Sequence, residues 1–136
     1  MEITDKLGNR FVLSIDDRPQ FDLWRITIDR LKMFNMMDFV AIVDLVKEQE
    51  SKNNEIWLNS IQLDESNNYD EAEQSLWEAI KDLARQKGWS KLYGELTLEQ
   101  IENQPKLISW LKQKAFNLES QSSQQNLYFS VVLDGI

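Results

Sequence analysis

The sequence predicts an α+β domain: a mixed, twisted sheet of six or seven strands carrying two main helices. Three observations predict it. The stretch from Ile61 to Phe116 parses as strand, loop, helix, strand and helix, and a helix linking two strands implies a crossover between parallel neighbours. Much of the remaining apolar sequence alternates with period two, as strands with one buried face do. The length, 136 residues, suits a single domain spanning 1–136 that buries about two-thirds of the surface its unfolded chain would expose.

Composition removes several kinds of chemistry. Cysteine and histidine are both absent, which excludes disulfides, thiol nucleophiles, Ser-His and Cys-His mechanisms and ordinary zinc sites. No metal site is expected. Any catalysis must use carboxylates, tyrosines, lysines or backbone groups. With 23 acidic against 15 basic residues, the net charge of -8 repels a phosphate backbone and an anionic membrane surface, so neither nucleic acid nor membrane is an expected partner. No apolar run approaches the roughly 18 residues of a membrane span, and the acidic start MEITDK is unlike a signal peptide. The expectation is a soluble, cytoplasmic protein.

Along the chain, Phe11, Leu13 and Ile15 alternate with Val12 and Ser14 in a strand, which the cluster Asp16-Asp17-Arg18-Pro19 should end as a turn. Residues 22–29 fit a helical stripe or a strand face; the β-branched Ile26-Thr27-Ile28 favours a strand. Met33, Phe34, Met36 and Met37 then surround Asn35 in a connection, read as a lid over the core, with a binding surface as the alternative. Phe39 to Val46, apolar except near Asp44, suits an interior strand covered on both faces, and Glu48 to Asn54 a charged turn.

The next strand holds an irregularity. Ile56 and Leu58 occupy even positions but Ile61 and Leu63 odd ones, so the apolar face changes phase at Asn59-Ser60. Either one extra residue forms a β-bulge there, or the strand is buried on both faces or interrupted. The bulge reading places Leu58 and Ile61 on one face.

A helix over about 70–87 follows, opened by Asp70 with Glu73 three residues later and closed by Arg85, Lys87 and Gly88. Residues 89–96 alternate as a strand. Thr97-Leu98-Glu99-Gln100 reads as a capping box for a short helical turn, and Pro105 opens a second helix over about 104–115. The Ser/Gln tract at 120–125 reads as a hairpin loop before a last strand from Leu127 to Leu133. Five tryptophans spread over five elements suggest one shared core.

In this order of elements, residues 38–133 resemble the GNAT superfamily of acyl-CoA N-acyltransferases. Ile61-Gln62-Leu63 matches the end of that family's central strand, LWEAIKDLARQKGWSKLYGEL its helix and next strand, and WLKQKAF (Trp110 to Phe116) its closing Tyr-x-x-x-Gly-Phe motif. The resemblance implies parallel neighbours at 56–63 and 89–96, and a bulge beside the acyl-thioester site. It also implies that Asn68, Tyr69, Asp70, Glu71, Ala72 and Glu73 occupy the Arg/Gln-x-x-Gly-x-Gly/Ala loop, whose backbone amides hold the pyrophosphate of acetyl-CoA. Here that loop has no glycine and three carboxylates. Glycines let phosphates approach the backbone, whereas carboxylates already complement a helix N-terminus. The family's frequent tyrosine acid corresponds to Leu111, and the following glycine to Ala115. The helix pair that usually precedes the central strands on the acceptor side has little room.

The expectation is therefore a catalytically silent GNAT-like domain that binds or assembles with a protein partner or with itself, with no cofactor. The alternative is a divergent acyltransferase holding acetyl-CoA in a non-standard pose, with Glu95, Tyr93 or Tyr69 as acid-base groups. An unrelated α+β fold is the residual reading.

Overall fold

The structure is a computed structural model that describes residues 1–48, 52–120 and 126–133. Eight strands form one sheet: β1 (Glu2–Thr4), β2 (Arg10–Arg18), β3 (Leu23–Leu31), β4 (Met37–Val46), β5 (Glu55–Leu63), β6 (Lys91–Leu96), β7 (Asn117–Ser120) and β8 (Leu127–Val132). Their order across the sheet is β1-β2-β3-β4-β5-β6-β8-β7. β5 and β6 are parallel, as expected for a pair joined by a crossover helix, and every other neighbouring pair is antiparallel. The fold is the predicted α+β class, with two more strands than the six the apolar pattern marks. The extra two, β1 and β7, are edge strands of three and four residues, too short for periodicity to show.

Three helices accompany the sheet: α1 (Asp70–Lys87), α2 (Leu98–Asn103) and α3 (Pro105–Gln113). α2 starts on the predicted capping box, with the Gln100 N–H donating to Thr97 Oγ1 at 3.2 Å and the Thr97 N–H donating to Gln100 Oε1 at 2.8 Å. At α1 the expectation is corrected. Tyr69, not Asp70, occupies the cap position and supplies no side-chain bond, while Glu73 reaches back to the Tyr69 N–H at 3.3 Å.

α1 and α3 lie on one face of the sheet, where the Trp77 and Trp110 rings meet edge to face at 5.9 Å. That face carries the core: Ile26, Ile28, Val43, Leu45, Ile56 and Leu92 are all fully enclosed. At roughly 1.5–3 kcal/mol for each such side chain, this burial is the main stabilising term. Trp24, Trp77, Trp89 and Trp110 join it, but Trp57 does not; it projects from the opposite face beside Tyr93.

No helix among the described residues covers that opposite face. β2 runs straight into β3 through a single 3-10 turn, Pro19–Phe21, so no helix pair intervenes. Two readings change in consequence. β4 is covered by helices on one face alone, which leaves Phe39 44% exposed, and Asp44 is accommodated by a two-pronged pair with Arg25 at 2.7 and 3.0 Å. β2 also continues to Arg18 rather than turning at Asp16, because Asp16, Asp17 and Arg18 pair with Arg25, Trp24 and Leu23 in the ribbon.

The methionine cluster is no lid. Met33, Phe34, Met36 and Met37 are 77, 89, 61 and 56% exposed on the turn between β3 and β4. The charged turn at 48–54 falls partly outside the described residues, at 49–51. The expected hairpin loop lies mostly outside them too, at 121–125, although the flanking β7 and β8 pair antiparallel.

Candidate functional site

The phase change in β5 is a bulge. Asp44 pairs with Ser60 and Leu45 with Leu58, so Asn59 is the extra residue, and the alternation shifts to keep Leu58 and Ile61 both buried. β5 then parts from β6: their pairing runs from Glu55 opposite Lys91 to Leu58 opposite Gly94, while both strands continue beyond it. The result is a fork between parallel strands. At its base the ring tip of Phe129 of β8, 1% exposed, occupies the space over Gly94; a Cβ there would sit 2.2 Å from the Phe129 ring and 2.9 Å from the Leu58 carbonyl oxygen.

Past the end of β5, a cleft of about 370 Å³ separates the first turn of α1 from α3, lined by Asn68, Asp70, Glu73, Lys106, Ser109, Trp110 and Gln113. Glu73 is 6% exposed and pairs with Lys106 Nζ at 2.5 Å. The same ammonium donates to the Asp64 carbonyl at 2.8 Å and to the Asn67 carbonyl. Glu65 accepts the Lys106 and Leu107 N–H groups at 2.9 and 3.2 Å, so a carboxylate of the chain sits on the N-terminus of α3. A hydrogen bond from the Asn67 side chain holds the Asp64 carboxyl below its ordinary value, aided by the Ser66 N–H and by Lys106 and opposed by desolvation. The Trp110 indole N–H is buried without a partner among the described residues.

Of the loop positions, Asn68, Asp70 and Glu71 are exposed, Ala72 is buried, and Glu71 accepts the Lys6 N–H at 3.3 Å. Glu73 alone among the three carboxylates is enclosed. Lys106 carried no sequence signal of its own, although a lysine in the first turn of a helix works against the helix dipole and so hints at a fixed partner.

The three acid-base candidates separate. Tyr93 and Glu95 alternate on β6 and share the uncovered face. The Tyr93 ring packs edge-on to Trp57 at 5.0 Å and its hydroxyl donates to Glu48 at 3.1 Å, while Glu95 accepts from Asn126. Tyr69 stands on the helix-covered face against Phe11 at 5.2 Å, with Arg30 donating to its hydroxyl at 3.2 Å. Leu111 is fully buried, and Ala115 holds a left-handed φ of 65° where the family pattern has glycine. Among the described residues no group of three carboxylates could hold a metal, and no helix is long and apolar enough to cross a membrane.

The fold recurs in solved structures. The GNAT domain of S. lividans PAT superposes with a TM-score of 0.62 at 12% identity, over 86% of this chain and 64% of that one. Nourseothricin acetyltransferase gives 0.60 at 14% identity, over 90% and 84%. A GNAT family acetyltransferase from Elizabethkingia anophelis, solved with acetyl-CoA bound, gives 0.57 at 10% identity, over 90% and 98%. The chain has the GNAT fold. No protein-family model matches the sequence, and no curated protein matches it either. Residues 68–73 differ from the family's glycine-rich pattern in both glycine content and charge.

Acetyl-CoA does not fit the described cleft well. The Tyr69 N–H that opens α1 is bonded to Glu73, the first N–H groups of α3 to Glu65, and Asp70 lines the cleft.

Proposed function

We propose that this chain is a catalytically silent GNAT-fold module that works by binding or assembly and takes no acetyl-CoA. The observation that carries this reading is the Glu73–Lys106 pair, which spans the cleft between α1 and α3 at 2.5 Å. A pyrophosphate entering there would have to displace it. It would also meet Asp70, worth about 1 kcal/mol of repulsion at 4 Å in water and about 4 at an effective dielectric of 20. Because Lys106 balances Glu73 and Glu71 accepts from the Lys6 N–H, the repulsion comes from Asp70 alone. Its exposure places it near the lower figure, and the amides bonded to Glu73 and Glu65 add to the barrier.

The retained fork, with Tyr93 and Glu95 on the uncovered face beside it, favours the second reading, a divergent N-acyltransferase. Titration calorimetry with acetyl-CoA separates the two. The silent reading expects no saturable heat up to about 1 mM, a bound of about 4 kcal/mol on the binding free energy. Micromolar binding would overturn the silent reading and make the divergent acyltransferase the leading one.

A further inference from the structure

β2 is longer than the strand that covers it. β1 pairs with β2 from Arg10 to Val12, and Leu13 still exchanges both its backbone groups with Met1, at 2.8 and 2.9 Å, but β2 continues to Arg18. Backbone groups two residues apart on a strand point the same way. The N–H and C=O groups of Ile15 and Asp17 therefore face away from β3, on a side where no strand lies among the described residues, while Ser14 and Asp16 direct theirs to Thr27 and Arg25. Alongside this open edge, a groove of about 450 Å³ separates β2 from α1. Leu13, Ile15, Ala79 and Leu83 give it an apolar lining, with Ile15 48% exposed, and Glu78 and Asp82 stand on its helix side.

We propose that this edge and groove take up an extended segment of a partner protein as a further strand, antiparallel to β2, with an apolar residue opposite Ile15 and a lysine or arginine opposite Asp17. The four unpaired backbone groups have the spacing of a strand ladder, which selects an extended chain. Residues opposite each other in a ladder share a face, so a side chain opposite Ile15 enters the groove. Asp17 lies on the same face two residues on, exposed and without an ion pair among the described residues, whereas Asp16, Glu78 and Asp82 are engaged by Arg18, Lys81 and Arg85. A cation opposite Asp17 is complementary to it, and the net charge of -8 draws in a basic segment. A second copy fits less well. Antiparallel pairing of two β2 edges that uses both Ile15 and Asp17 sets Asp16 of one copy directly against Asp16 of the other, and like charges so placed repel.

This inference rests on the binding reading and names the partner's chemistry; the acetyl-CoA titration reads the cleft between α1 and α3 and can fail alone. Amide NMR of the full chain, titrated with the peptide acetyl-Thr-Lys-Thr-Ile-Thr-amide, tests it. Its Lys and Ile align with Asp17 and Ile15. The Ile15 and Asp17 amides should shift and gain protection from exchange, with a Kd below about 1 mM. N-methylation of the peptide's Lys and Ile, whose N–H groups face β2, should weaken binding at least about tenfold, while N-methylation of the Thr between them should not. Ile15→Pro removes one edge donor that β3 does not use and should also weaken binding about tenfold. Asp17→Lys, an exposed change that leaves the ladder intact, should weaken it about threefold. No saturation by about 5 mM peptide overturns the proposal, as does binding that the Lys- and Ile-methylated peptide retains or that leaves the Ile15 and Asp17 amides unmoved. Self-association of the chain that protects these two amides overturns it in favour of a second copy.

Discussion

Glu73 of α1 and Lys106 of α3 form an enclosed ion pair, 2.5 Å apart, that joins the two helices across the mouth of the strand fork. Lys106→Met would leave a nearly buried carboxylate with the Tyr69 N–H to compensate it, and strip the Asp64 and Asn67 carbonyls of a donor. Breaking such a pair costs about 3 kcal/mol, read as a lower urea midpoint at unchanged slope. The double variant Lys106→Met/Glu73→Gln should recover more than half of the loss. A single-variant loss below about 0.5 kcal/mol would mean that the pair is solvated and does not seal the cleft.

Gly94→Ala should destabilise by about 1–3 kcal/mol, because the new methyl group overlaps the Phe129 ring and crowds the Leu58 carbonyl. Adding Phe129→Leu should restore part of this, and the size of that coupling measures how tightly the ring is wedged at the fork. Strictly additive effects would show that the two residues do not touch.

Ala115→Gly should stabilise the fold by about 0.5–1 kcal/mol, raising the melting temperature by a few degrees. α3 ends with the Phe116 N–H donating to the Leu111 carbonyl at 3.0 Å and the Ala115 N–H to the Lys112 carbonyl at 3.1 Å, which places Ala115 at φ 65°. Gly88 fills the equivalent place after α1 at φ 76° without the steric cost of a Cβ. Destabilisation by the same change would indicate that the Cβ of Ala115 contributes more packing than its backbone costs.

Asp29→Asn should raise stability more at pH 7 than at pH 4. Burial pushes the Asp29 carboxyl above its ordinary value, so the folded state holds this proton more tightly than the unfolded chain does. Its favourable contribution is full below the unfolded-state value and is lost as pH rises through the folded-state one, leaving a penalty at neutral pH that the amide avoids. Melting curves of the two proteins that run parallel from pH 4 to 7 would contradict this.

The phase shift between Leu58 and Ile61 was legible because a strand has a strict period of two, but the pairing of Asp44 with Ser60 and of Leu45 with Leu58 was needed to tell a bulge from an interruption. α1 was legible over its full length because eighteen residues give many repeats of the helical stripe and Gly88 closes it. The same logic failed at Met33 to Met37. An apolar cluster in a connection looks alike whether it covers a core or faces water, and only the position of the turn past the ends of β3 and β4 separates the two.

Local periodicity and turn chemistry by themselves determined the types of the longer elements and, through the strand–helix–strand order, the parallel β5–β6 neighbours, since each depends on residues close in sequence. Tertiary structure decided the rest. It placed Lys106 on Glu73, 33 positions apart, left one sheet face uncovered, and put Tyr69 on the other face from Tyr93 and Glu95. These pairings follow from how α3 returns across the ends of the strands. A charge seeking a partner in a low-dielectric cleft responds to distance in space and not to spacing along the chain.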